Sequence, residues 1–423
     1  MHAPITAVLC GAGLRGSDAY GPYALEYPDQ LRFVAVAEPD PVRRARFAAL
    51  HHIPEDRQYH SWEALFSAGK LADSCLVMTQ DQMHREPAIT ALSQGYNVLL
   101  EKPMAHRLED SVALVQAAEQ YGKLLQICHV LRYTPFFMKL NDILQSGRLG
   151  DIVAVEHREN VVFWHMAHSF VRGNWGNTER SSPMILAKCC HDLDILFWNM
   201  GRMRSLHSFG SLMHYRQEQA PPGATARCTD GCSVAEECPW DARRLYLNMN
   251  LTSWPVTALG SDLSAEGRLR ALQHGPYGRC VYHCDNDVVD HQGVSMETER
   301  GSSVTLIMHG HSHEENRTIR YDGTRATLRG RFGYQSMALD IHDHLTGRRE
   351  SVDIVSQESG HGGGDFGIMR SFIQAMHGEA SALTTARESL ESHLLAFAAE
   401  ESRLSGVAVN MQQFRAQAER MTL

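Results

Sequence analysis

The chain has no long apolar run and no excess of basic charge. No segment approaches the roughly 18 consecutive apolar residues that a membrane-spanning helix needs, so we expect no membrane anchor. The formal net charge is −9, which gives no electrostatic reason to bind nucleic acid or an anionic membrane. The N-terminus enters the apolar segment ITAVLC without a basic stretch. We therefore also expect no export signal and a cytoplasmic location.

The cysteine pattern gives no sign of a disulfide framework. The ten cysteines are unevenly spaced along 423 residues, and this pattern favours free thiols or metal ligands over structural disulfides. A chain of this length exceeds what one hydrophobic core usually holds, so the length predicts two domains.

The first apolar strand runs into a glycine loop. Gly11, Gly13 and Gly16 have the G-x-G-x-x-G spacing, and a second apolar strand, LRFVAVAEPD, follows and ends in acids. Such glycines let the backbone approach a pyrophosphate, which then lies on the N-terminus of a helix. Glu38 would accept hydrogen bonds from both ribose hydroxyls, which favours NAD. The neighbouring Arg43 and Arg44 leave NADP as an alternative cofactor. A helix-capping role is the alternative for Glu38.

Apolar strands and amphipathic helices then alternate through the first third of the chain. The predicted strands and helices, in chain order, are ADSCLVMT (72–79), HREPAITALSQG (84–95), YNVLLEKP (96–103), LEDSVALVQAAEQYG (108–122) and KLLQICHV (123–130). This alternation predicts a doubly wound parallel sheet with its ligands at the carboxyl ends of the strands.

Two charged residues stand at the end of one of these strands. Glu101 and Lys102 follow the apolar VLL segment and precede Pro103, at the place where a bound nicotinamide would lie. A partly desolvated lysine beside a cofactor is able to serve as an acid or a base. The alternative is a surface ion pair. Pro103 makes the preceding peptide bond a candidate for the cis form.

The segment HREPAITALSQGYNVLLEKPMA resembles the signature of the glucose–fructose oxidoreductase and inositol dehydrogenase family, often written Gfo/Idh/MocA. The resemblance extends along the whole chain and also rests on the glycine loop and on HDLDILFW. It implies a Rossmann domain over residues 1–129 and an α+β domain over residues 130–423 with a large, open, mostly antiparallel sheet. A carbohydrate substrate and a homodimer or homotetramer are further implications.

The resemblance also implies roles for individual residues. Lys102 would bind the substrate hydroxyl that loses its proton as the hydride passes to NAD, and Glu101 would contact the nicotinamide ribose. Thr79 and His84 would line the cofactor. His191 would be a catalytic or substrate-binding group, although a core histidine satisfied by a carbonyl is the alternative.

The segment SSPMILAKCCHDLDILFWNMG is predicted to be one helix that faces the active site. In the resembling family an aspartate usually stands four residues before the histidine, and Ala187 occupies that position here. Lys188 beside it points to altered chemistry or to an anionic substrate group. Asp194, three residues after His191, is placed to orient the imidazole.

Further candidate substrate residues come from two other segments. HMAHSFVRGNW brings together histidines, a guanidinium and an indole, which suit a hydroxyl-rich ring. GHGGGDFGIMRSF places an aspartate before a helix, where helix capping is an equal alternative. The candidates are His165, His168, Arg172, Trp175 and Asp365.

A cysteine-rich insertion over residues 216–244 suggests a structural zinc ion. Cys228, Cys232 and Cys238 form a C-x3-C-x5-C array, and Cys280 is available as a fourth ligand. Four thiolates are a common tetrahedral zinc set. Free thiols or a redox pair are the alternatives.

The second domain is predicted to form antiparallel strands. Candidate strands include SLHSFGSLMHY, VSMETERG and SVTLIMHGHS, with turns at Asp322–Gly323 and at Gly347.

Three functions fit these features. The first is an NAD-dependent dehydrogenase that moves a hydride at a carbinol carbon of a sugar, glycoside or polyol. The second is a redox-neutral, NAD-dependent glycoside hydrolase, which oxidises the ring transiently, eliminates the aglycone, adds water and returns the hydride. The third is an NAD-binding sensor, and the intact Glu101–Lys102–Pro103 motif argues against it.

Overall fold

Two sheets organise the chain. The computed structural model describes residues 2–333, 336–355 and 360–421. One sheet has six parallel strands and the other has nine strands that are mostly antiparallel. The prediction of a doubly wound parallel sheet followed by a large open sheet is confirmed.

The first sheet has the strand order β3-β2-β1-β4-β5-β6. Its strands are β1 (Ile5–Cys10), β2 (Leu31–Ala37), β3 (Gln58–Tyr59), β4 (Ser74–Val77), β5 (Asn97–Leu100) and β6 (Leu125–Ile127). The strand order reverses between β1 and β4, and ligands of such sheets bind in the crevice at this reversal. Every residue of β4 is buried, because helices cover both faces of a parallel sheet.

A π-helical turn at Leu14–Tyr20 follows β1. Six α-helices then accompany the first sheet or follow it directly. They are α1 (Gly21–Glu26), α2 (Pro41–Leu50), α3 (Trp62–Ser67), α4 (Arg85–Ser93), α5 (Leu108–Tyr121) and α6 (Pro135–Gln145). The strands and helices predicted between residues 72 and 130 all occur, with ends shifted by a few residues.

The second sheet has the strand order β14-β13-β12-β11-β7-β10-β9-β8-β15. Its strands are β7 (Ile152–Val162), β8 (Met203–Ser211), β9 (His291–Thr298), β10 (Ser303–Ser312), β11 (Asn316–Gly323), β12 (Ala326–Gly333), β13 (Met337–Asp343), β14 (Arg349–Ser351) and β15 (Val409–Asn410). Strands β7 and β10 pair in parallel at its centre. The predicted turn at Asp322–Gly323 is wrong by two residues, because β11 continues through Gly323 and the chain turns at Thr324 and Arg325.

Eight helices belong to the second half of the chain. They are α7 (Phe163–His165), α8 (Met184–Ala187), α9 (Cys190–Met200), α10 (Ala242–Tyr246), α11 (Ala265–His274), α12 (Gly364–Met376), α13 (Ala386–Ser405) and α14 (Met411–Ala418). Helix α13 packs against α5 of the first domain and α9 of the second. Within the described ranges, no helix has both the length and the apolar character that crossing a bilayer requires.

A buried ion pair connects Arg132, just before α6, to Asp194 of α9. The guanidinium of Arg132 donates two hydrogen bonds to the Asp194 carboxylate, at 2.7 and 2.6 Å, and a third to the carbonyl of Leu383 at 3.0 Å. Both side chains are almost fully buried. The expectation that Asp194 orients His191 is therefore wrong, because both carboxylate oxygens are bound to Arg132.

We expect Asp194→Ala to lower the free energy of unfolding by about 3–5 kcal/mol, because it leaves a buried guanidinium without its counter-charge. Urea unfolding followed by circular dichroism measures the loss. The matched control is Glu350→Ala, which breaks the exposed pair with Arg148 and should cost no more than about 1 kcal/mol. Equal effects of the two substitutions would contradict this assignment.

Candidate active site

The glycine loop lies at the strand reversal and leaves room for a ligand. Gly11 has φ +94°, and a Cβ there would lie 2.7 Å from the carbonyl oxygen of Met78, so no other residue fits. A Cβ on Gly13 would meet nothing within 4 Å. The space above Gly13 is therefore not filled by protein, as a site for a pyrophosphate requires.

Glu38 lies beside this loop at the end of β2. Its carboxylate accepts hydrogen bonds from the backbone N–H of Ala12 (2.8 Å) and of Asp40 (3.0 Å), and from the Arg43 guanidinium (3.0 Å). The side chain is buried. An acid fixed at this position is suitably placed for the ribose of a dinucleotide.

Glu101 and Lys102 follow β5 at the same edge of the sheet. The buried Glu101 carboxylate accepts hydrogen bonds from the Lys102 N–H (2.7 Å), from the Tyr20 hydroxyl (2.8 Å) and from Arg15 Nε (2.5 Å). Burial raises the pKa of Glu101, but the charges of Arg15 and Lys102 outweigh burial and lower it. The carboxylate is therefore ionised at neutral pH. The Lys102–Pro103 bond is cis.

Two histidines hold the segment that follows Lys102. The ring nitrogens of His84 lie 2.8 Å from the Pro103 carbonyl oxygen and 3.1 Å from that of Thr79. His393 of α13 accepts a hydrogen bond from the Met104 N–H at 2.8 Å. His84 and Thr79, which the sequence placed beside the cofactor, therefore sit between the ends of β4 and β5.

The Lys102 side chain reaches the second domain. Its ammonium donates a hydrogen bond to the carbonyl of Ala187, the last residue of α8, at 3.0 Å. The prediction of one helix over this segment is wrong, because the helix breaks between Ala187 and Cys190. The last carbonyls of a helix have no partner within it, and the break leaves one of them for Lys102.

His191 lies just beyond this break at the start of α9. The imidazole is buried, and no described residue hydrogen-bonds its Nδ1. Its ring centroid is 5.6 Å from that of His129 and 6.5 Å from that of His361. Burial lowers the pKa of His191, and the charge of Lys102 lowers it further. His191 is therefore a neutral imidazole at physiological pH.

Arg15 joins the glycine loop to the second domain. Besides Glu101 it binds the Asp365 carboxylate, at 2.8 Å from Nη2 to Oδ1. Asp365 is also 3.1 Å from the His361 Nδ1. Burial raises the pKa of Asp365, but Arg15 and His361 outweigh burial and lower it. Asp365 lies at the start of α12 without capping it, so its carboxylate acts as the counter-charge of Arg15.

His165 and Lys188 share a carboxylate that sequence reasoning missed. Glu315, in the loop between β10 and β11, lies 2.7 Å from the Lys188 ammonium and 3.0 Å from the His165 Nδ1. Lys188 also lies 3.4 Å from the buried Glu159. With two carboxylates around it, the Lys188 ammonium is not free to receive an anionic substrate group.

Two family models match this chain. The NAD-binding Rossmann-fold model of the oxidoreductase family matches residues 5–129, and the C-terminal alpha/beta domain model of the same family matches residues 142–411. The chain belongs to the Gfo/Idh/MocA oxidoreductase family. It is accordingly an NAD-binding oxidoreductase with relatives among carbohydrate dehydrogenases.

Three members of the Gfo/Idh/MocA family show the extent of the similarity. A putative oxidoreductase, YteT, of Bacillus subtilis is 21% identical over 85% of this chain and 86% of its own. Inositol 2-dehydrogenase 2 of Saccharopolyspora erythraea is 28% identical over 45% of this chain and 52% of its own. The WlbA dehydrogenase of Bordetella pertussis, solved with NADH and UDP-GlcNAcA, superimposes with a TM-score of 0.69 at 17% identity, over 97% of this chain and 98% of that one.

Three of the predicted substrate residues form hydrogen bonds with other residues of this Gfo/Idh/MocA chain. The His168 Nδ1 is 2.6 Å from the Tyr246 hydroxyl. Arg172 is buried and donates to the carbonyls of Arg279 and Trp240, both at 2.7 Å. The indole of Trp175 donates to Asp81 at 3.1 Å, which ties it to the loop after β4. Arg172 therefore holds the insertion through Trp240, His168 is bound to α10, and Trp175 is bound to the loop after β4.

The four cysteines predicted to bind zinc line one cavity of the insertion. Across residues 2–333, 336–355 and 360–421, however, no group of three or more His, Cys, Asp or Glu side chains is arranged to hold a metal ion. Cys228 instead accepts hydrogen bonds from the Ala242 N–H at 3.4 Å and from Arg172 at 3.7 Å. The structure does not support the zinc prediction, and the cysteines are free thiols.

The buried His393 makes stability depend on pH. Burial lowers its pKa to about 3, whereas an unfolded histidine titrates near 6.5. The folded state therefore binds fewer protons between these values, and stability present above about pH 6.5 is lost as the pH falls. We expect His393→Gln to reduce this loss, by up to about 1.4 kcal/mol per pH unit.

Urea unfolding of the wild type and of His393→Gln between pH 7 and pH 5 measures the two slopes. Other buried histidines still titrate in the variant, so its slope should be smaller but not zero. The exposed His207 offers the control, because His207→Gln should keep the wild-type slope. Identical slopes for all three proteins would refute the role given to His393.

Proposed function

We propose that the chain is an NAD-dependent oxidoreductase that transfers a hydride at a carbinol carbon of a sugar, glycoside or polyol, with Lys102 as the proton relay. The observation that carries this proposal is the position of Lys102. Lys102 follows β5 at the carboxyl edge of the parallel sheet, and its ammonium donates a hydrogen bond to the Ala187 carbonyl of the second domain.

The residues around the crevice fit an NAD molecule. The open space above Gly13 would receive the pyrophosphate, and the fixed Glu38 carboxylate would accept the ribose hydroxyls. Gly11 and Gly16 shape the loop, and Glu101 with Lys102, Thr79 and His84 would surround the nicotinamide end. When bound, NAD supplies the two-electron acceptor that the carbinol carbon needs.

Lys102 and His191 would divide the proton chemistry between them. Lys102 would donate a hydrogen bond to the substrate oxygen and hold that oxygen in place. After one of its own protons has passed to water, it would accept the hydroxyl proton as the carbonyl forms. The neutral His191 imidazole would hydrogen-bond the same or a neighbouring hydroxyl and fix the orientation of the ring. The substrate lies between the two domains, where water is excluded as it binds.

A redox-neutral glycoside hydrolase is the second candidate. The specific observation in its favour is the His165–Glu315 pair, because hydrolysis needs an acid or base besides the relay at Lys102. A cytoplasmic location is also proposed, and a homodimer or homotetramer is proposed on family resemblance.

We expect Lys102→Ala to bind NAD about as well as the wild type and to lose turnover by about 100-fold to 10,000-fold, because the hydroxyl proton has no acceptor. Calorimetry measures NAD binding, and NADH absorbance with sugars and polyols measures turnover. Lys139→Ala, on the exposed side of α6, should leave both unaffected. Turnover that survives in Lys102→Ala would rule out the relay.

The Glu38→Ser variant tests the ribose site. Loss of charge-assisted hydrogen bonds should weaken NAD binding by about 1.5–3 kcal/mol, or roughly ten- to a hundredfold in Kd. NADP should gain in relative affinity, because Arg43 is released from Glu38 and the negative charge is gone. Dissociation constants for both dinucleotides measure the change, and Glu55→Ser at an exposed position is the control. An unchanged NAD affinity would place the ribose elsewhere.

A further inference from the structure

His165 and Glu315 form a hydrogen-bonded pair beside the Lys102 site. His165 ends α7, directly after the central strand β7, and Glu315 lies in the loop between β10 and β11. The His165 Nδ1 is 3.0 Å from Glu315 Oε1, and both side chains are largely buried. The two residues are 150 positions apart, so only the pairing of the sheet brings them together.

Both oxygens of the Glu315 carboxylate are held by hydrogen bonds. Oε1 also accepts from the Lys188 ammonium at 2.7 Å, and Oε2 accepts from the Val162 N–H at 2.8 Å. Burial raises the pKa of Glu315, but Lys188 and His165 outweigh burial and lower it. A permanently ionised carboxylate takes the Nδ1–H of a neutral imidazole and leaves the lone pair on Nε2.

The other nitrogen of His165 is free to react. Nε2 makes no hydrogen bond to any residue of the described ranges, and it is not among the fully buried unpaired atoms. Phe170 and Trp254 stand beside the imidazole, with ring centroids 5.8 and 4.8 Å away. Trp254 is 38% exposed. Phe170 is buried, so the accessible aromatic surface beside His165 is that of Trp254. An apolar aromatic surface of this kind suits the C–H bonds of a sugar ring.

The pair lies at the same site as Lys102. Lys188, which holds Glu315, directly follows Ala187, whose carbonyl accepts the Lys102 hydrogen bond. The charge of Lys102 also acts on His165. A sugar ring bound between Lys102 and Trp254 would therefore bring its other carbons toward the His165 Nε2.

We propose that His165, positioned by Glu315, is a second acid–base catalyst that exchanges a proton with the substrate carbon next to the carbinol that is oxidised. This inference rests on the proposed function, in which NAD is the oxidant of that carbinol. The substrate it implies is a glycoside or another ring sugar with a hydrogen on that neighbouring carbon.

The proton transfer is balanced without a further reactant. Oxidation of the carbinol leaves a carbonyl, which acidifies the adjacent C–H bond. The His165 Nε2 takes this proton while the electron pair of the C–H bond passes to the carbonyl oxygen, where the Lys102 ammonium stabilises the enolate. Return of a proton from Nε2 to the carbon restores the ketone.

The test uses the full-length protein with NAD⁺ in D₂O and a panel of methyl glycosides, 4-nitrophenyl glycosides and myo-inositol. Single-turnover NADH absorbance reports hydride transfer, and NMR reports deuterium at the carbon next to the oxidised carbinol. The wild type should show both. His165→Asn and His165→Gln should lower the rate of deuterium exchange by about 100-fold to 10,000-fold, and far more than they lower hydride transfer. His313→Asn, an exposed change in the same loop, should match the wild type.

The pH profile separates positioning from a merely structural role for Glu315. The charged or titratable groups around His165 are Glu315 of the β10–β11 loop, Lys188 of the α8–α9 junction, Lys102 at the end of β5, and His168 of the following π-helical turn. Burial and the charges of Lys188 and Lys102 lower the pKa of His165, and Glu315 partly opposes them by raising it. Glu315→Gln should therefore move the acid limb of the exchange rate to lower pH.

Each outcome is decisive. Hydride transfer without deuterium at the neighbouring carbon, or full exchange in both His165 variants, would overturn the role of the pair and leave the oxidoreductase proposal standing. An absence of hydride transfer from every sugar of the panel would overturn the proposed function and the inference with it. An unmoved pH profile in Glu315→Gln, with NAD affinity and Tm preserved, would reduce Glu315 to a structural residue.

Discussion

The proposed site depends on the hydrogen bond between the Lys102 ammonium and the Ala187 carbonyl, which connects the two domains. A lysine at the carboxyl edge of a parallel sheet is placed there by the strand that precedes it, but its side chain needs a partner that fixes its direction. The break between α8 and α9 supplies that partner. Lys188 lies in this break and His191 lies just beyond it, so one local irregularity positions both residues near the end of the Lys102 side chain.

Ion pairing and one raised pKa explain how so many titratable groups fit in this region. Lys188 and Arg317 lie among Glu159, Asp192 and Glu315, and nearly all of these side chains are buried. Burial raises the pKa of Glu159 to about 7, so this carboxyl is partly protonated at neutral pH. Buried charges persist only when each has a counter-charge and hydrogen bonds. Next to the glycine loop, Arg15 is in the same way the counter-charge of Glu101 and Asp365. Among the described residues, the Lys102 ammonium donates to a neutral carbonyl, whereas Lys188, Arg317 and Arg15 are paired with carboxylates. In the proposed function, Lys102 is therefore the cation that meets the substrate.

Local sequence patterns predicted the framework and the residues along it. The glycine spacing, the acid at the end of β2 and the charged pair after β5 each depend on a few consecutive residues, and all lie at one edge of the first sheet as expected. Contacts between distant residues were beyond such patterns. Arg15 contacts Asp365, and His165 contacts Glu315, because the fold brings together residues that are far apart in the chain. Asp194 pairs with Arg132 instead of His191 for the same reason. The spacing of the cysteines likewise does not determine how the folded insertion orients their thiols.

The most direct test of the account is a crystal structure with NAD⁺ bound. We predict that the pyrophosphate lies over Gly13, that the Glu38 carboxylate holds the adenosine ribose, and that the nicotinamide lies against Lys102 with its reactive carbon facing the space between Lys102 and His191. A nicotinamide bound away from Lys102, or a dinucleotide that avoids the glycine loop, would contradict the account.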